Sequence, residues 1–491
     1  MGKKRKQALD SAAAIDPAIW AEMYLPAQEQ ESLRKVLHTE MPASIRINCL
    51  KNDPPKMIAA LAERYGWETE RVPFCESGFW IRTGEKTPSS TIEHRLGEYY
   101  IQEAASMLPA ELFDFHGVDK PLILDMAASP GGKTIHLIDR TADLGLVVAN
   151  AASRSRIPAL RIVLENWGAI NQAVTCQQGE WFGYALPETF DAVLLDAPCS
   201  MQGLRISASH KARPITTNEI ASLAERQVNL LMSALQCVKT GGEVVYSTCT
   251  LSPQENEGVI SEVIKRCGQA VEIADITEKL TRPAPGIGRI GDTILENGIQ
   301  RSARLWPHIF NTAGFFSAKL TKNQALDARP AMQAEMRTES ARKVTESETS
   351  VIFHAIKEQY GLEMKRIAEE GSLCVMETGG TLLLAPQRLQ EIAQYLPLVS
   401  FGIPLGKALP DGWQPSHTLV NRFGNRFTRQ IFVLEDEHLD RWTRGEDIRG
   451  ADDPSIPPGS VVAVRDKAGR NLGRGKLLKD RLKNQLPTRL F

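Results

Sequence analysis

The sequence has no two cysteines with the Cys-x-x-Cys spacing, which is the commonest spacing in zinc sites and redox pairs. Its eight cysteines are scattered along the chain, at positions 49, 75, 176, 199, 237, 249, 267 and 374. A disulfide framework therefore has no support, and we expect no metal centre.

Long apolar runs are also missing from the sequence. No stretch approaches the ~20 residues that a membrane-crossing helix needs. The lysines near the start are not followed by the apolar core of a signal peptide. We therefore expect a cytoplasmic protein whose thiols are reduced, with no membrane partner.

Net charge is almost absent, at −1 over 491 residues, but the ends of the chain are basic. The chain opens with Lys3-Lys4-Arg5-Lys6, and residues 465–491 hold nine Lys or Arg against two Asp. A basic tail on a neutral chain favours a nucleic-acid partner. Taken alone, such a tail is equally well explained as a solvated surface.

The length exceeds that of a single core, so several domains are expected. Residues 118–322 alternate apolar strands with helical stretches, with strands predicted at 121–125, 145–150, 190–196 and 242–247. This alternation is typical of an α/β fold, a doubly wound Rossmann-like sheet covered by helices. The predicted segments are an N-terminal α+β region (1–117), this α/β domain (118–322), a linker (323–347), a small mixed α/β domain (348–432) and a small β-barrel module (433–491).

A glycine-rich loop follows the first predicted strand, which ends at Asp125. Such a turn lets a ligand approach the backbone, and the next helix presents free N–H groups to it. The third and fourth strands each end beside a cysteine, in Asp196-Ala197-Pro198-Cys199-Ser200 and Ser247-Thr248-Cys249-Thr250. If these strands share a sheet, both cysteines lie at the same edge as the glycine loop. Two buried structural cysteines are the alternative.

Together, these three motifs resemble those of the RNA cytosine-C5 methyltransferases of the Sun-domain type. The resemblance implies that S-adenosylmethionine is the cofactor and that the loop wraps its methionine part. It also implies that Cys249 is the nucleophile, that Cys199 assists release of the adduct, and that Asp196 contacts the target cytosine and the cofactor. The loop residues concerned are Ala127, Ala128, Ser129, Pro130, Gly131, Gly132 and Lys133.

The chemistry of cytosine explains the need for a thiol. Addition of a thiolate to C6 makes C5 nucleophilic enough to attack a methyl sulfonium. DNA cytosine methyltransferases use the Pro-Cys motif for this step, and that arrangement would exchange the roles of Cys199 and Cys249. Methylation of an amino group or a ribose would need no thiol at Cys249.

The C-terminal residues 444–448 and 482–487 are similar to the PUA-like domain of the RsmF-like branch of this family. That branch methylates a cytosine of 16S rRNA, so the resemblance implies an RNA partner, either 16S rRNA or the small ribosomal subunit. The N-terminal residues 44–48 with Lys51, and the motif at residues 98–107, resemble the family's RNA-handling region and its junction with the catalytic domain. Proteins recognise structured RNA by its shape and exposed bases, and they use basic accessory modules to do so.

The sequence departs from the family pattern at three places. Ala151 stands where a carboxylate usually holds the ribose hydroxyls, and Gln178 stands at the acidic position near the adenine. The residues after Cys199, from Ser200 to Arg205, also differ from the usual pattern. A weak or inactive relative that only binds RNA is therefore the alternative function. Glu255 and Glu257 are expected near a helix start, and His308 is expected to be structural.

Overall fold

The computed structural model describes residues 19–204, 215–326, 341–409 and 412–487. The basic start Lys3-Lys4-Arg5-Lys6, Arg205 and most of the predicted linker therefore lie outside the described residues. Within the described residues no helix is long and apolar enough to span a bilayer.

The N-terminal region is an antiparallel sheet with helices around it. Its strands lie in the order β2-β3-β1-β4. The helix α3 begins at Pro54, and the Asp53 carboxylate caps it by accepting from the Lys56 N–H. The helix ends before Gly66, whose backbone is in the left-handed region. The elements are α1 (Ile19–Tyr24), α2 (Ala27–Leu37), β1 (Ala43–Ile47), α3 (Pro54–Tyr65), β2 (Glu68–Arg71), β3 (Gly78–Thr83), α4 (Ile92–Arg95), β4 (Tyr99–Ile101) and α5 (Leu108–Glu111).

The central domain confirms the four strands predicted from the sequence. The first two of them are buried along their whole length, as expected for strands covered by helices on both faces. The elements are β5 (Leu122–Asp125), α6 (Gly132–Arg140), β6 (Leu146–Asn150), α7 (Ile157–Trp167), β7 (Gln172–Thr175), α8 (Glu180–Ala185), β8 (Phe190–Asp196), α9 (Thr217–Cys237), β9 (Val238–Thr248), α10 (Glu257–Cys267), β10 (Val271–Ala274), β11 (Arg289–Ile290), β12 (Thr293–Ile294), β13 (Ala303–Leu305), α11 (Pro307–Phe310) and β14 (Phe315–Lys322).

The central sheet has the order β10-β14-β9-β8-β5-β6-β7, with β13 paired to β14. The strands from β9 to β7 are parallel, whereas β14 and β10 run antiparallel to their neighbours. From β5 the chain adds β6 and β7 on one side and then β8 and β9 on the other, so the strand order reverses between β5 and β8. Ligands of open α/β sheets bind at such a switch point, beyond the carboxyl ends of the strands.

The C-terminal part adds two further sheets and one strand of the central sheet. The strand β18 pairs antiparallel with β7, so a strand from the predicted 348–432 segment extends the central sheet. The two further sheets have the orders β15-β16-β17-β19-β20 and β21-β23-β24-β25-β22. The elements are β15 (Arg342–Lys343), α12 (Glu346–Tyr360), α13 (Met364–Glu370), β16 (Leu373–Thr378), β17 (Thr381–Pro386), α14 (Leu389–Ile392), β18 (Leu398–Phe401), β19 (Ile403–Leu409), β20 (Gly412–Pro415), α15 (His417–Phe423), β21 (Ile431–Leu434), α16 (Leu439–Thr443), β22 (Ile448–Arg449), β23 (Val461–Asp466), β24 (Asn471–Leu477) and β25 (Arg481–Asn484).

Lys51 joins three parts of the chain. Its buried ammonium donates to the carbonyls of Leu96 (2.7 Å) and Asn166 (3.1 Å) and to the Asn421 side chain (3.2 Å). Burial lowers the pKa of Lys51 to about 8. This lysine, which the sequence placed in an RNA-handling region, is therefore used inside the fold.

Candidate active site

The two cysteines predicted to work together are brought together by strand pairing. Strands β8 and β9 are parallel neighbours, with Asp196 opposite Ser247. The chain leaves both strands at the same edge, and the Sγ atoms of Cys199 and Cys249 lie 3.4 Å apart. Both side chains are only partly exposed. The thiols therefore form one site and not two separate ones.

The loops that carry the thiols are fastened to each other by backbone hydrogen bonds. The Ala197 N–H donates to the Ser247 carbonyl at 2.8 Å, and the Gly203 N–H donates to the Cys249 carbonyl at 3.0 Å. A Cβ at Gly203 would lie 2.3 Å from the carbonyl oxygen of Gly314, so only glycine fits there. These contacts hold the loop after Cys199, whose sequence departs from the family pattern, against the Cys249 loop.

A charged pair lies beside the thiols. The Lys133 ammonium donates to Asp196 Oδ2 at 2.8 Å, and the Ser247 hydroxyl donates to Asp196 Oδ1 at 2.8 Å. Burial lowers the pKa of Lys133, but the negative charges of Asp196 and Cys249 outweigh it, so the pKa of Lys133 is raised. Lys133 is therefore a permanent cation, and it interacts with both Asp196 and Cys249.

The pKa of Cys199 is raised well above its usual range. The largest cause is its hydrogen bond with Cys249, followed by burial and by the charges of Cys249 and Glu255. A thiol next to a second sulfur and a carboxylate resists ionisation. Cys199 is therefore held as a neutral thiol.

The glycine loop forms a small cradle at the end of β5. A cavity of about 180 Å³ is lined by residues 127–133 together with Asp125, Asp196 and residues of the 100–106 segment. Gly131 has a φ of 120°, and a side chain at Gly132 would collide with the ring of Tyr100. The structure thus places all seven predicted loop residues around one cavity.

Asp125 lies at the floor of this cavity with one oxygen bonded and one free. The Thr134 hydroxyl donates to Oδ2 at 2.6 Å, while the buried Oδ1 has no hydrogen-bond partner among the described residues. Burial raises the pKa of Asp125 to about 7. A buried acceptor without a partner at the wall of a cavity is suited to a polar ligand.

The two positions predicted for the ribose and the adenine lie at the ends of the next two strands. Ala151 follows β6 and is 2% exposed, with its N–H bonded to the Thr175 carbonyl. Gln178 follows β7, is exposed and donates weakly to the Ala152 carbonyl at 3.5 Å. Neither residue lines the small cavity.

The structure brings two carboxylates to the site to which the sequence assigned no role there. Glu255 lies beside the Cys199 loop and accepts hydrogen bonds from the Ser200 N–H at 2.8 Å and from Gln227 at 3.2 Å. Glu103 lines the small cavity and accepts from the N–H groups of Ala313 (2.9 Å) and Ser106 (3.1 Å). The only signal for Glu103 was its place in the 98–107 motif, and Glu255 had none beyond its position before a helix.

One group with metal-binding side chains lies among the described residues. Cys75, Glu111 and His136 have their ligand atoms within 4.8 Å of one another. The charge of Arg46 acts on His136, and Arg140 pairs with Glu111 at 3.5 Å. Two guanidinium groups oppose a divalent cation there, and the His136 Nε2–H donates to the Glu111 carboxylate at 2.9 Å. We interpret the group as a hydrogen-bonded structural triad.

A larger cavity, of about 1190 Å³, lies between α7, the end of β7 and β18. None of the predicted catalytic or cofactor residues lines it. The chemistry is therefore expected at the smaller cavity, which Lys133 and Asp196 line beside the two cysteines.

Comparison with known proteins agrees with this geometry. Residues 115–321 match the family described as 16S rRNA methyltransferase RsmB/F, and residues 21–104 match the N-terminal domain of 16S rRNA methyltransferase RsmF. The ribosomal RNA small subunit methyltransferase F of Klebsiella pneumoniae is 32% identical over 91% of this chain and 90% of its own. This chain belongs to the RsmB/F methyltransferase family.

Other relatives give the same result. The methyltransferase F of Vibrio campbellii is 30% identical over 91% of both chains. Among solved structures, a methyltransferase homologue from Pyrococcus horikoshii is 30% identical with a TM-score of 0.53, covering 60% of this chain and 91% of its own. The NSun6 structure from the same organism, 21% identical with a TM-score of 0.53, shares the fold. As an RsmB/F member the chain is an S-adenosylmethionine-dependent methyltransferase.

The residues present fit the methionine half of that cofactor. Free N–H groups at the start of α6, the unpaired Asp125 oxygen and the glycines of the loop together form a polar cradle. The ribose half has less support, because the methyl group of Ala151 cannot accept a hydrogen bond. The described residues thus offer polar groups to the methionine half of the cofactor, while the Ala151 side chain offers no acceptor.

Proposed function

We propose that this chain transfers a methyl group from S-adenosylmethionine to C5 of a cytosine in 16S rRNA, through a transient bond between Cys249 and C6. The 3.4 Å contact between the two Sγ atoms, at the edge that carries the cofactor cradle, is the observation that supports this most directly. The relatives in Klebsiella and Vibrio are named for small-subunit ribosomal RNA. We accordingly propose that the protein works in the cytoplasm.

The charges around the thiols support Cys249 as the nucleophile. The protonated Lys133 interacts with Cys249 and Asp196, while Cys199 is held as a neutral thiol. The reversed assignment, as in DNA cytosine methyltransferases, would need a thiolate at Cys199, beside Glu255, where ionisation is opposed. The cytosine must leave its stack to reach this edge.

The proposed reaction forms a bond between sulfur and carbon and later breaks it. The Cys249 sulfur adds to C6, and the C5–C6 electron pair takes the methyl group that the bound cofactor supplies. A base then removes the C5 proton, the double bond re-forms, and the C6–S electron pair returns to sulfur. In this proposal Asp196 holds the N3/N4 edge, where charge develops on attack, and Cys199 assists as the C6–S bond breaks.

The first test combines the purified protein with S-adenosylmethionine and unmodified small-subunit RNA, either naked or in assembled subunits. Nucleosides from the digested RNA are then identified by mass spectrometry. We expect 5-methylcytidine with the wild type and a loss of at least about 10³-fold with Cys249→Ala, because no other thiol replaces the nucleophile. Cys176→Ala serves as the matched control and should retain activity.

Ala151 favours one alternative, an RNA-binding relative with little cofactor affinity. The same experiment separates it from the main proposal when cofactor binding is measured by calorimetry. RNA binding without 5-methylcytidine and without cofactor binding would support the alternative. 5-Methylcytidine formed equally by the Cys249→Ala variant would contradict the proposed adduct.

A further inference from the structure

Glu255 is a fully buried carboxylate that the mechanism above does not use. Among the described residues it has no Lys, Arg or His nitrogen within ion-pair distance. Its partners are instead neutral donors, on Ser200, Gln227 and Thr250. Burying a charge without a cation is costly, so its position calls for a functional reason.

The donors that surround Glu255 come from the loops of both cysteines. Ser200, which follows Cys199, donates its N–H at 2.8 Å and its hydroxyl. Thr250, which follows Cys249, donates its hydroxyl at 3.4 Å, and the Ser200 and Thr250 hydroxyls are 2.9 Å apart. One carboxylate therefore connects the residues directly after the two thiols.

The helix α9 contributes Gln227 to this group of hydrogen bonds. The Gln227 amide donates to Glu255 at 3.2 Å and to the Pro198 carbonyl at 2.9 Å. The residues on both sides of Cys199 are thus held, one by Gln227 and the other by Glu255. The backbone of Glu255 is fixed in turn, because its carbonyl accepts from the Tyr246 hydroxyl at 2.6 Å.

We propose that Glu255 is a positioning residue that holds the Cys199 loop against the Cys249 loop, so that the Cys199 thiol lies beside the sulfur of the covalent adduct. This inference rests on the proposed function. Without the carboxylate, Ser200 and Thr250 lose their shared acceptor. The backbone bonds of Ala197 and Gly203 still hold the ends of the Cys199 loop, but the position of Cys199 between them is less fixed. Adduct formation by Cys249 then continues, while release, which needs Cys199 nearby, slows.

The first test is the Glu255→Gln variant, which keeps the size of the side chain but loses the charge and one acceptor oxygen. We expect the covalent complex between the protein and RNA, seen on denaturing gels, to last about tenfold longer, since a hydrogen bond to a charged group is lost. Cys199→Ala should show the same trapping. Glu262→Gln, an exposed glutamate paired with Arg266 on α10, is the matched control and should behave as wild type.

The second test needs neither RNA nor cofactor. Cys199 is alkylated by iodoacetamide over a range of pH in a reducing buffer, and its peptide is followed by mass spectrometry. The groups that act on it are Cys249, Glu255 and Tyr246. Removing the negative charge at Glu255 favours the thiolate, so the alkylation midpoint in Glu255→Gln should fall by roughly one pH unit.

Thr250→Val provides a second variant if Glu255→Gln does not fold. It removes the Cys249-side hydroxyl, which also contacts the Ser200 hydroxyl and accepts from the Ser252 N–H, and leaves Glu255 in place. We expect the same slowing of release with a smaller factor. Wild-type release together with an unchanged alkylation profile in a folded variant would overturn the positioning role. A wild type that makes no 5-methylcytidine would overturn the proposed function, while the alkylation profile would still test Glu255.

Discussion

At the scale of single residues, the small cavity is lined by a buried carboxylate, Asp125, and by a cation, Lys133. The carboxylate of Asp125 is fully buried and has only one hydrogen-bonded oxygen, so burial raises its pKa to about 7. Lys133, which neighbours it in the cradle, stays protonated. The apoprotein therefore carries an electrostatic cost at Asp125 that a bound polar ligand would relieve.

This cost predicts a pH-dependent effect of Asp125→Asn. Because the folded-state pKa lies above the unfolded value, Asp125 reduces stability as pH rises from about 4 to about 7, and the cost remains above pH 7. We expect Asp125→Asn to raise Tm at pH 8 by about 3 °C and to change it little at pH 4.5. Thermal unfolding followed by circular dichroism measures both values.

The control for this prediction is Asp275→Asn, an exposed aspartate outside the cradle. Its effect should not increase with pH in the same way. An equal shift of Tm at both pH values for Asp125→Asn would contradict the assigned cause. Weaker binding of S-adenosylmethionine to Asp125→Asn at pH 8 is expected as well, since the free acceptor is lost.

At the scale of elements, a buried ion pair fastens β13 to the start of α10. Arg304 donates from Nε to Glu257 Oε1 at 2.8 Å and from NH1 to the Leu251 carbonyl at 2.8 Å. Both side chains are fully buried. The pair holds the chain that follows the Cys249 loop, and Glu257 is the first residue of α10, as the sequence predicted.

Breaking this pair from one side leaves the other charge buried without a partner. We expect Arg304→Met or Glu257→Gln to lower the free energy of unfolding by about 3 kcal/mol. The double variant should lose less than the sum of the two, because it leaves no buried charge. Urea unfolding measures all four proteins, and additive losses would show that the two side chains act independently.

At the scale of the whole molecule, the basic tail is less available to RNA than its charge suggests. Five of its cations already bind carboxylates or backbone carbonyls of the protein: Arg465, Lys467, Arg470, Arg474 and Arg481. Arg470 also pairs with Glu93 of the N-terminal region. Within the described residues, Lys476, Lys479 and Lys483 have no ion pair or side-chain hydrogen bond.

These three lysines are therefore the expected phosphate contacts of the tail. Replacing all three with alanine should weaken RNA binding and reduce the slope of log affinity against log salt by up to about 2, with Tm unchanged. Fluorescence anisotropy at several salt concentrations measures the slope. Lys467→Ala, whose amine already binds Glu435 at 2.6 Å, is the control and should lose little affinity. An unchanged slope in the triple variant would assign RNA binding to another surface.

Much of the fold could be predicted from local pattern. The four strands of the central sheet, the glycine loop after Asp125 and the two cysteine motifs are all visible as short runs of residues. Because these runs resemble the motifs of a known family, the family and its cofactor could be inferred before any contact was known. The segment boundaries remain predictions, and β18 joins the central sheet across one of them.

The sequence by itself determined which strands form and which thiols and loop residues stand at their ends, because these depend on neighbours along the chain. Only the tertiary structure decided the 3.4 Å separation of the thiols, the burial of Lys51 and the role open to Glu255. Those contacts join residues up to several hundred positions apart, as between Lys51 and Asn421. They depend on strand order and packing, which no local run of residues specifies.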